Sequence, residues 1–78
     1  MTIRLNGEPR ELAGPVSISA LLAALDIDPR RVAVEHNMVV VRRDGYASTI
    51  VHDGDEVEIV NFVGGGSRHP DPGFFDAL

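Results

Sequence analysis

The chain has 78 residues, no cysteine, and a net charge of −5 from seven arginines and twelve acidic residues. A chain this short builds one small domain and buries only about 60% of its unfolded surface, so a deep, enclosed active site is not expected. The lack of cysteine excludes disulfides, thiolate metal sites and a cysteine nucleophile. The acidic balance argues against binding nucleic acid and favours a partner with a basic surface.

No stretch of the sequence approaches the roughly 20 apolar residues that a membrane span requires. The first residues also lack the layout of a signal peptide. We therefore expect a cytoplasmic protein that does not contact a membrane.

The first predicted elements are two strands and a helix. Residues 2–6 alternate polar and apolar side chains, Asn6-Gly7 is typical of a two-residue hairpin turn, and residues 8–12 return with Pro9, which indicates an edge strand. Ser17 is a candidate N-cap, and Asp28-Pro29 is expected to end the helix. One apolar helical stripe follows Ser17: Ile18, Leu21, Leu22 and Leu25.

The second half of the chain consists of short apolar, β-branched runs separated by turns. They predict strands over residues 32–34, 38–41 and 56–62, a turn over 35–37, and a short strand or loop over 49–52. The order β-β-α-β-β-β indicates an α+β domain, in which one helix packs on one face of a mixed sheet. In that arrangement the first and last strands can pair in parallel at the centre.

Three glycines, Gly64, Gly65 and Gly66, follow the last strand directly. A phosphate-binding loop is a poor interpretation, because no helix with a Lys-Ser or Lys-Thr pair follows; a plain linker stays open as an alternative. Because glycine has no side chain, a glycine arm can enter a channel that is too narrow for other residues. A chain ending at Gly66 would present a carboxylate that ATP could activate and a sulfur nucleophile could convert to a thiocarboxylate.

At this point the sequence resembles a known family. "AVEHNMVVVRRDGYASTIVHDGDEVEIVNFVGGG" and "SISALLAALDIDPRRVAV" are similar to the ThiS family of bacterial sulfur carriers, over residues 1–66. "DGDEVEIVNFVGGG" is the most specific piece. Its general pattern, Asp-Gly-Asp followed by an alternating strand and a glycine terminus, is shared with the small subunit of molybdopterin synthase, whereas the Val-Gly-Gly-Gly ending, the short length and "AVEHN" favour ThiS. The resemblance implies the ubiquitin-like β-grasp fold and a protein that is not itself an enzyme.

The resemblance also implies partners and a reactive position. An E1-like, ThiF-like adenylyltransferase would use ATP to activate the terminal glycine, a cysteine desulfurase would supply sulfur, and a ThiG-like thiazole synthase would receive it in thiamine biosynthesis. The chain itself would bind no cofactor. The thiocarboxylate would form on Gly66 (or Gly65), with Gly64 and Gly65 as the arm that threads into the enzyme.

Residues 67–78 depart from the family pattern, because its members end at the glycines. This extension contains Pro70 and Pro72 and shows no periodicity, so it is expected to be flexible. We expect a peptidase to remove it, after Gly66 or after Gly65. Phe74 and Phe75 could instead fold back and cover the docking surface.

Two further expectations concern the surface of the domain. In the last strand Val57 and Ile59 share one face, while Val60 and Phe62 share the other and form a candidate patch for docking on a partner enzyme. The three histidines, His36, His52 and His69, lack metal-ligand spacing and are interpreted as solvated turn residues, so no metal site is expected.

Two alternatives to the thiamine pathway remain open. Within the carrier class, the sulfur could go to molybdopterin synthesis or to tRNA thiolation. From another class, the chain could be a β-grasp binding module or a protein modifier that carries no sulfur.

Overall fold

The structure is a computed structural model that describes residues 1–61 of the 78. Phe62, the three glycines Gly64, Gly65 and Gly66, and the extension over residues 67–78 lie outside the described residues. The predictions made for them, including flexibility of the extension and its contact with the docking surface, therefore stay predictions.

The described residues form seven strands and one α-helix. In chain order these are β1 (Thr2–Leu5), β2 (Glu8–Glu11), β3 (Val16–Ser17), α1 (Ile18–Ala24), β4 (Val32–His36), β5 (Val39–Val41), β6 (Ile50–Val51) and β7 (Glu56–Asn61). Two short 3₁₀ turns cover Pro29–Arg31 and Arg43–Gly45. Five strands make a mixed sheet in the order β2-β1-β7-β4-β5, and β3 pairs with β6 in a separate ribbon.

The centre of the sheet is the parallel pair of β1 and β7. Arg4 lies opposite Glu56, and Leu5 lies opposite Val57. On its other side β7 is antiparallel to β4. The predicted α+β class and the central pairing of the first and last strands are confirmed, and a helix held by such a sheet is the β-grasp arrangement.

The predicted helix is present and buries its apolar stripe. The Ser17 hydroxyl caps the helix by accepting the N–H of Ala20 at 3.0 Å. Ile18, Leu21 and Leu22 are buried in the core. The core also contains residues from the sheet and from the loop after β5: Ile3, Val32, Val34, Tyr46, Val51 and Val57.

The helix ends earlier than predicted, at Ala24. Asp26 adopts a left-handed φ of 59°, and the N–H of Ile27 returns to the carbonyl of Leu22 at 2.9 Å, which closes the last turn. Asp28 and Pro29 begin a 3₁₀ turn instead, in which the Asp28 carboxylate accepts the N–H of Arg30.

The predicted turn over residues 35–37 is wrong. The turn consists of Asn37 and Met38, with φ of 51° and 72°, so β4 continues through Glu35 and His36. Both of these residues pair with β7 on one side and β5 on the other. Pairing along both sides stabilises strand geometry at polar residues that look like a turn in the sequence.

The small ribbon of β3 and β6 was predicted only in part. Ile50 and Val51 form the short strand expected within residues 49–52. Their partners, Val16 and Ser17, were not predicted as a strand, because two residues carry no periodic signal. Within residues 1–61, no helix is long and apolar enough to cross a membrane.

Candidate functional site

The candidate site is the carboxyl end of β7, the last described strand and the one that precedes the glycines. Asn61 lies opposite Val32 at the beginning of β4. The arm therefore leaves from the central strand of the sheet. Pairing with β4 continues to Asn61, so β7 provides a firm base for an extended segment.

One edge of this strand is completed by a side chain. Ladder pairing with β1 stops at Val57, which lies opposite Leu5. Beyond that point Asn6 takes over: its Oδ1 accepts the N–H of Ile59 at 2.7 Å, and its Nδ2 donates to the carbonyl of Ile59 at 3.3 Å. The backbone N–H of Asn6 also donates to the carbonyl of Val57 at 2.9 Å. The sequence predicted Asn6 at the end of the first strand and in the turn that follows, but it did not predict this contact with the last strand.

The two faces of β7 differ as the alternation predicts. Val57 is buried, and Ile59 is partly buried and packs against the core. Val60 is half-buried on the opposite face, which we call the open face. Its antiparallel partner is Ala33. Of the proposed docking pair, the structure therefore places Val60 on the open face, while Phe62 lies beyond the described residues.

The open face also carries a group of carboxylates. Glu35 on β4 lies directly opposite Glu58 on β7, and Glu35 is only 9% exposed. Glu56 lies further along the same face, 3.9 Å from the guanidinium of Arg4. Like charges placed opposite each other repel, so a cationic partner would relieve this pair. Sequence reasoning missed Glu35 because it assigned the residue to a turn.

His36 is not the solvated turn residue that was predicted. Its Nε2 lies 2.7 Å from Oδ2 of Asp55, and both side chains are 18% exposed. Burial raises the pKa of Asp55, but hydrogen bonds from the His52 N–H and from the side chains of His36 and Asn37 outweigh it and lower that pKa to about 2. This contact joins the β4–β5 turn to the loop before β7.

His52 is exposed, as expected for a solvated residue, and His69 is not described. Among residues 1–61 no three His, Asp or Glu side chains converge in a geometry that could hold a metal ion.

An open groove of about 890 Å³ lies at the same end of the sheet as the carboxyl end of β7. Its apolar lining includes Val32, Val41 and the ring of Tyr46, and its charged lining consists of Arg42, Arg43 and Asp44. The Tyr46 hydroxyl donates to the carbonyl of Val32 at 3.3 Å, and burial raises the pKa of this phenol. The groove is therefore apolar, with two cationic side chains and one carboxylate beside it.

Comparison with known proteins decides the family. The model of the ThiS family matches residues 3–66, which run from the second residue of β1 through all three glycines. The chain belongs to the ThiS family. Its fold agrees with a crystal structure of the thiamine biosynthesis protein ThiS from Geobacter metallireducens: the TM-score is 0.76 at 38% identity, covering 85% of this chain and 100% of that one.

Two curated relatives extend the comparison of this ThiS-family chain. A thiazole synthase from Paramagnetospirillum magneticum is 45% identical over 71 residues, which are 91% of this chain and 22% of that protein. This chain thus spans about a fifth of that relative. The sulfur carrier protein ThiS of Bacillus subtilis is 38% identical over 50 residues, 64% of this chain and 76% of that protein. A 71-residue match must include residues beyond Gly66, since only 66 residues reach that position.

Proposed function

We propose that this chain carries sulfur for the thiazole of thiamine. One observation carries the proposal: a ThiS-family domain that reaches Gly66 also forms part of a relative named thiazole synthase. The likeness to a Bacillus subtilis sulfur carrier supports the same chemistry. The chain would supply the reacting carboxylate, and its partners would supply the catalysis.

The proposed chemistry takes place on the last glycine. An oxygen of the free Gly66 carboxylate attacks the α-phosphorus of ATP, and pyrophosphate leaves. A persulfide sulfur then attacks the acyl carbon of the adenylate, and AMP leaves. Release of the cysteine sulfur from this acyl disulfide by a thiol leaves a thiocarboxylate on Gly66. The ATP is bound and used by an E1-like, ThiF-like enzyme.

The fold supports this use of the arm. Asn61 ends a strand that is held by β4 on one side and by β1 and Asn6 on the other. Gly66 is five positions beyond Asn61, so the tip can reach at most about 18 Å beyond Asn61. A firm base with a side-chain-free tip suits delivery of a small reactive group into an enclosed enzyme site.

The open face is the proposed docking surface for the activating enzyme. Val60 provides apolar area close to the arm, and Glu35 and Glu58 provide negative charge beside it. We propose that Phe62 extends the apolar area, since it follows Val60 at the two-residue spacing of a strand. An enzyme with a basic rim around an apolar patch complements this surface.

Removal of residues 67–78 is part of the proposal, because adenylation needs a free glycine carboxylate. A peptidase would hydrolyse the peptide bond after Gly66, or after Gly65. The match to the thiazole synthase relative runs past Gly66, so the region beyond the glycines has a counterpart in that protein. Intact-mass measurement on protein from its native cell tests the step. The step would be contradicted if every species observed retained residues 67–78 and none ended at Gly65 or Gly66.

The main experiment compares the chain ending at Gly66 with the full chain in an ATP–pyrophosphate exchange assay with the cognate E1-like enzyme. Exchange only with the chain ending at Gly66 is expected. Addition of a cysteine desulfurase should then increase the mass by the difference between sulfur and oxygen. Exchange without this increase would favour a protein modifier, and no exchange would favour a binding module.

The acceptor is tested separately. Once the thiocarboxylate form of the chain has been prepared, we would measure the transfer of its sulfur to thiazole synthase, to molybdopterin synthase and to a tRNA-thiolating enzyme. The thiazole synthase relative favours the first. Preferred transfer to either of the others would assign the chain to that pathway.

A further inference from the structure

The two edge strands of the sheet differ in how well they are protected against pairing with another chain. β2 reads Glu-Pro-Arg-Glu, and all four residues are exposed. Charged residues and proline are the usual means by which an edge strand avoids pairing with another chain. β5, the opposite edge, consists of Val39, Val40 and Val41, with no charge and no proline. Val39 is 65% exposed and Val40 is 47% exposed.

The backbone of β5 also has room for a new strand. The turn of Asn37 and Met38 is closed by His36 and Val39. In an antiparallel ladder hydrogen-bonded and non-hydrogen-bonded pairs alternate, and a two-residue turn closes on a hydrogen-bonded pair. Val40 is therefore in the non-hydrogen-bonded position, and its N–H and C=O point away from β4.

The charged residues at the end of β5 indicate which side chains an added strand would carry. The Arg42 side chain is 88% exposed, and the Asp44 carboxylate 3.8 Å away is 83% exposed, so this ion pair is weak. Arg43 bonds the backbone carbonyl of Arg30 at 3.5 Å through one guanidinium nitrogen. Both arginines and Asp44 lie beside the apolar groove, so its lining carries an excess of positive charge. An occupant with apolar side chains and carboxylates would complement them.

The position of the groove ties it to the arm. Val32 and Ala33 line the groove, and their partners on β7 are Asn61 and Val60, the last described residues before the glycines. A protein that takes the arm into its own site must therefore sit over this end of the sheet.

We propose that the β5 edge and this groove bind an extended, apolar, carboxylate-bearing segment of the thiazole synthase that receives the arm, which adds to the sheet as a sixth strand. The inference rests on the proposed function. The synthase is the occupant because a counterpart of this domain forms about a fifth of a relative named thiazole synthase, and because the groove adjoins the base of the arm.

The first test is amide hydrogen exchange on the full chain, with and without the thiazole synthase of the same organism. We expect exchange at Val40 to slow by about tenfold or more in the complex. Exchange along β2 should stay the same and serves as the internal control. Equal exchange at Val40 in a complex that does form would overturn the proposal.

The second test measures the affinity for the synthase after charge reversal. The double variant Arg42→Glu, Arg43→Glu should bind about tenfold more weakly, with a reduced dependence on salt. The control is the single reversal Arg10→Glu on the β2 edge, which should bind within about twofold of the wild type and is compared with Arg42→Glu alone, a reversal of equal charge. Equal binding by the double variant and the wild type would overturn the proposal.

Other occupants give distinct outcomes, and each of them overturns the proposal. Protection of Val40 that rises with protein concentration without synthase indicates a second copy of this chain. Protection that is lost when residues 67–78 are removed indicates that segment. A wild-type chain that acquires sulfur but does not bind the synthase removes this inference alone, whereas a chain that acquires no sulfur removes the proposed function.

Discussion

Asn6 does for Ile59 what a neighbouring strand does elsewhere in the sheet. Its amide accepts the N–H of Ile59 at 2.7 Å and donates to the carbonyl at 3.3 Å, across 53 positions of sequence. Asn6 also holds a φ of 51°, which asparagine tolerates better than most residues. One side chain therefore forms the hairpin turn and secures the strand that precedes the arm.

Replacement of this amide should weaken the strand without straining the turn. Asn6→Gly keeps a residue that accepts positive φ but removes both hydrogen bonds, so the free energy of unfolding should fall by about 1–2 kcal/mol. Urea unfolding measures the loss, and amide exchange of Ile59 should accelerate. Glu8→Gln on an exposed position is the control and should change stability by less than about 0.5 kcal/mol. A glycine variant as stable as the wild type would contradict this account.

The contact between His36 and Asp55 predicts a loss of stability in acid. The pKa of Asp55 is about 2 in the folded chain, against 3.8 for the free side chain. A lowered carboxyl pKa stabilises the fold above the unfolded value and loses that contribution as the pH falls through the folded value. We expect a decrease of about 2 kcal/mol between pH ~4.5 and ~2.

Urea unfolding at a series of pH values measures this decrease. Asp55→Asn cannot ionise and should be less stable than the wild type at pH ~7, with a smaller loss towards acid. Asp44→Asn, at a side chain that is 83% exposed, is the control and should follow the wild-type curve. Parallel curves for Asp55→Asn and the wild type would disprove the assignment.

The left-handed backbone conformation of Met38 makes it a site for a stabilising substitution. It occupies the second position of a two-residue turn at φ 72°, where glycine is preferred, and its side chain is 81% exposed. Met38→Gly should raise the unfolding free energy by about 0.5–1 kcal/mol, because relief of the left-handed strain exceeds the added chain entropy.

The reverse change at a comparable turn is the control for Met38. Gly54 has a φ of 86° and open space around the position of a Cβ atom, so Gly54→Ala tests the backbone cost alone. Thermal or urea unfolding should show this variant destabilised by about 1 kcal/mol. The free energy of unfolding should rise for Met38→Gly and fall for Gly54→Ala. A change in the same direction for both variants would show that turn strain is not the cause.

The glycine arm predicts a steric limit at its penultimate position. In the chain ending at Gly66, Gly65→Val should reduce ATP–pyrophosphate exchange by about tenfold or more, since a branched side chain cannot follow a glycine through a narrow channel. The fold should be unaffected, and the unfolding transition checks this. Exchange at the wild-type rate would count against the threading arm.

We expect the activating enzyme to dock on the open face at Val60. Val60→Asp places a charge in the half-buried patch beside Ala33 and should weaken binding of the E1-like enzyme by about tenfold. Calorimetry or fluorescence titration measures the affinity. Thr2→Asp, exposed at the far end of the same face, should bind normally. Equal effects of both variants would indicate a general charge effect rather than a docking site.

Local pattern accounted for the first half of the fold. The Asn6-Gly7 turn, the Ser17 cap and the stripe of Ile18, Leu21 and Leu22 depend on residues only a few positions apart, and the structure contains all three. The family motif could also be recognised from the sequence, because it consists of contiguous residues that lead to Gly66.

What the sequence by itself determined was therefore the hairpin, the helix and the identity of the glycine-tipped family. Only the tertiary structure decided that β4 extends through His36, that His36 contacts Asp55 across 19 positions, and that Asn6 completes β7. Periodicity and turn chemistry are properties of neighbouring residues. Strand pairing and the burial of polar side chains depend on distant segments that meet only when the chain folds.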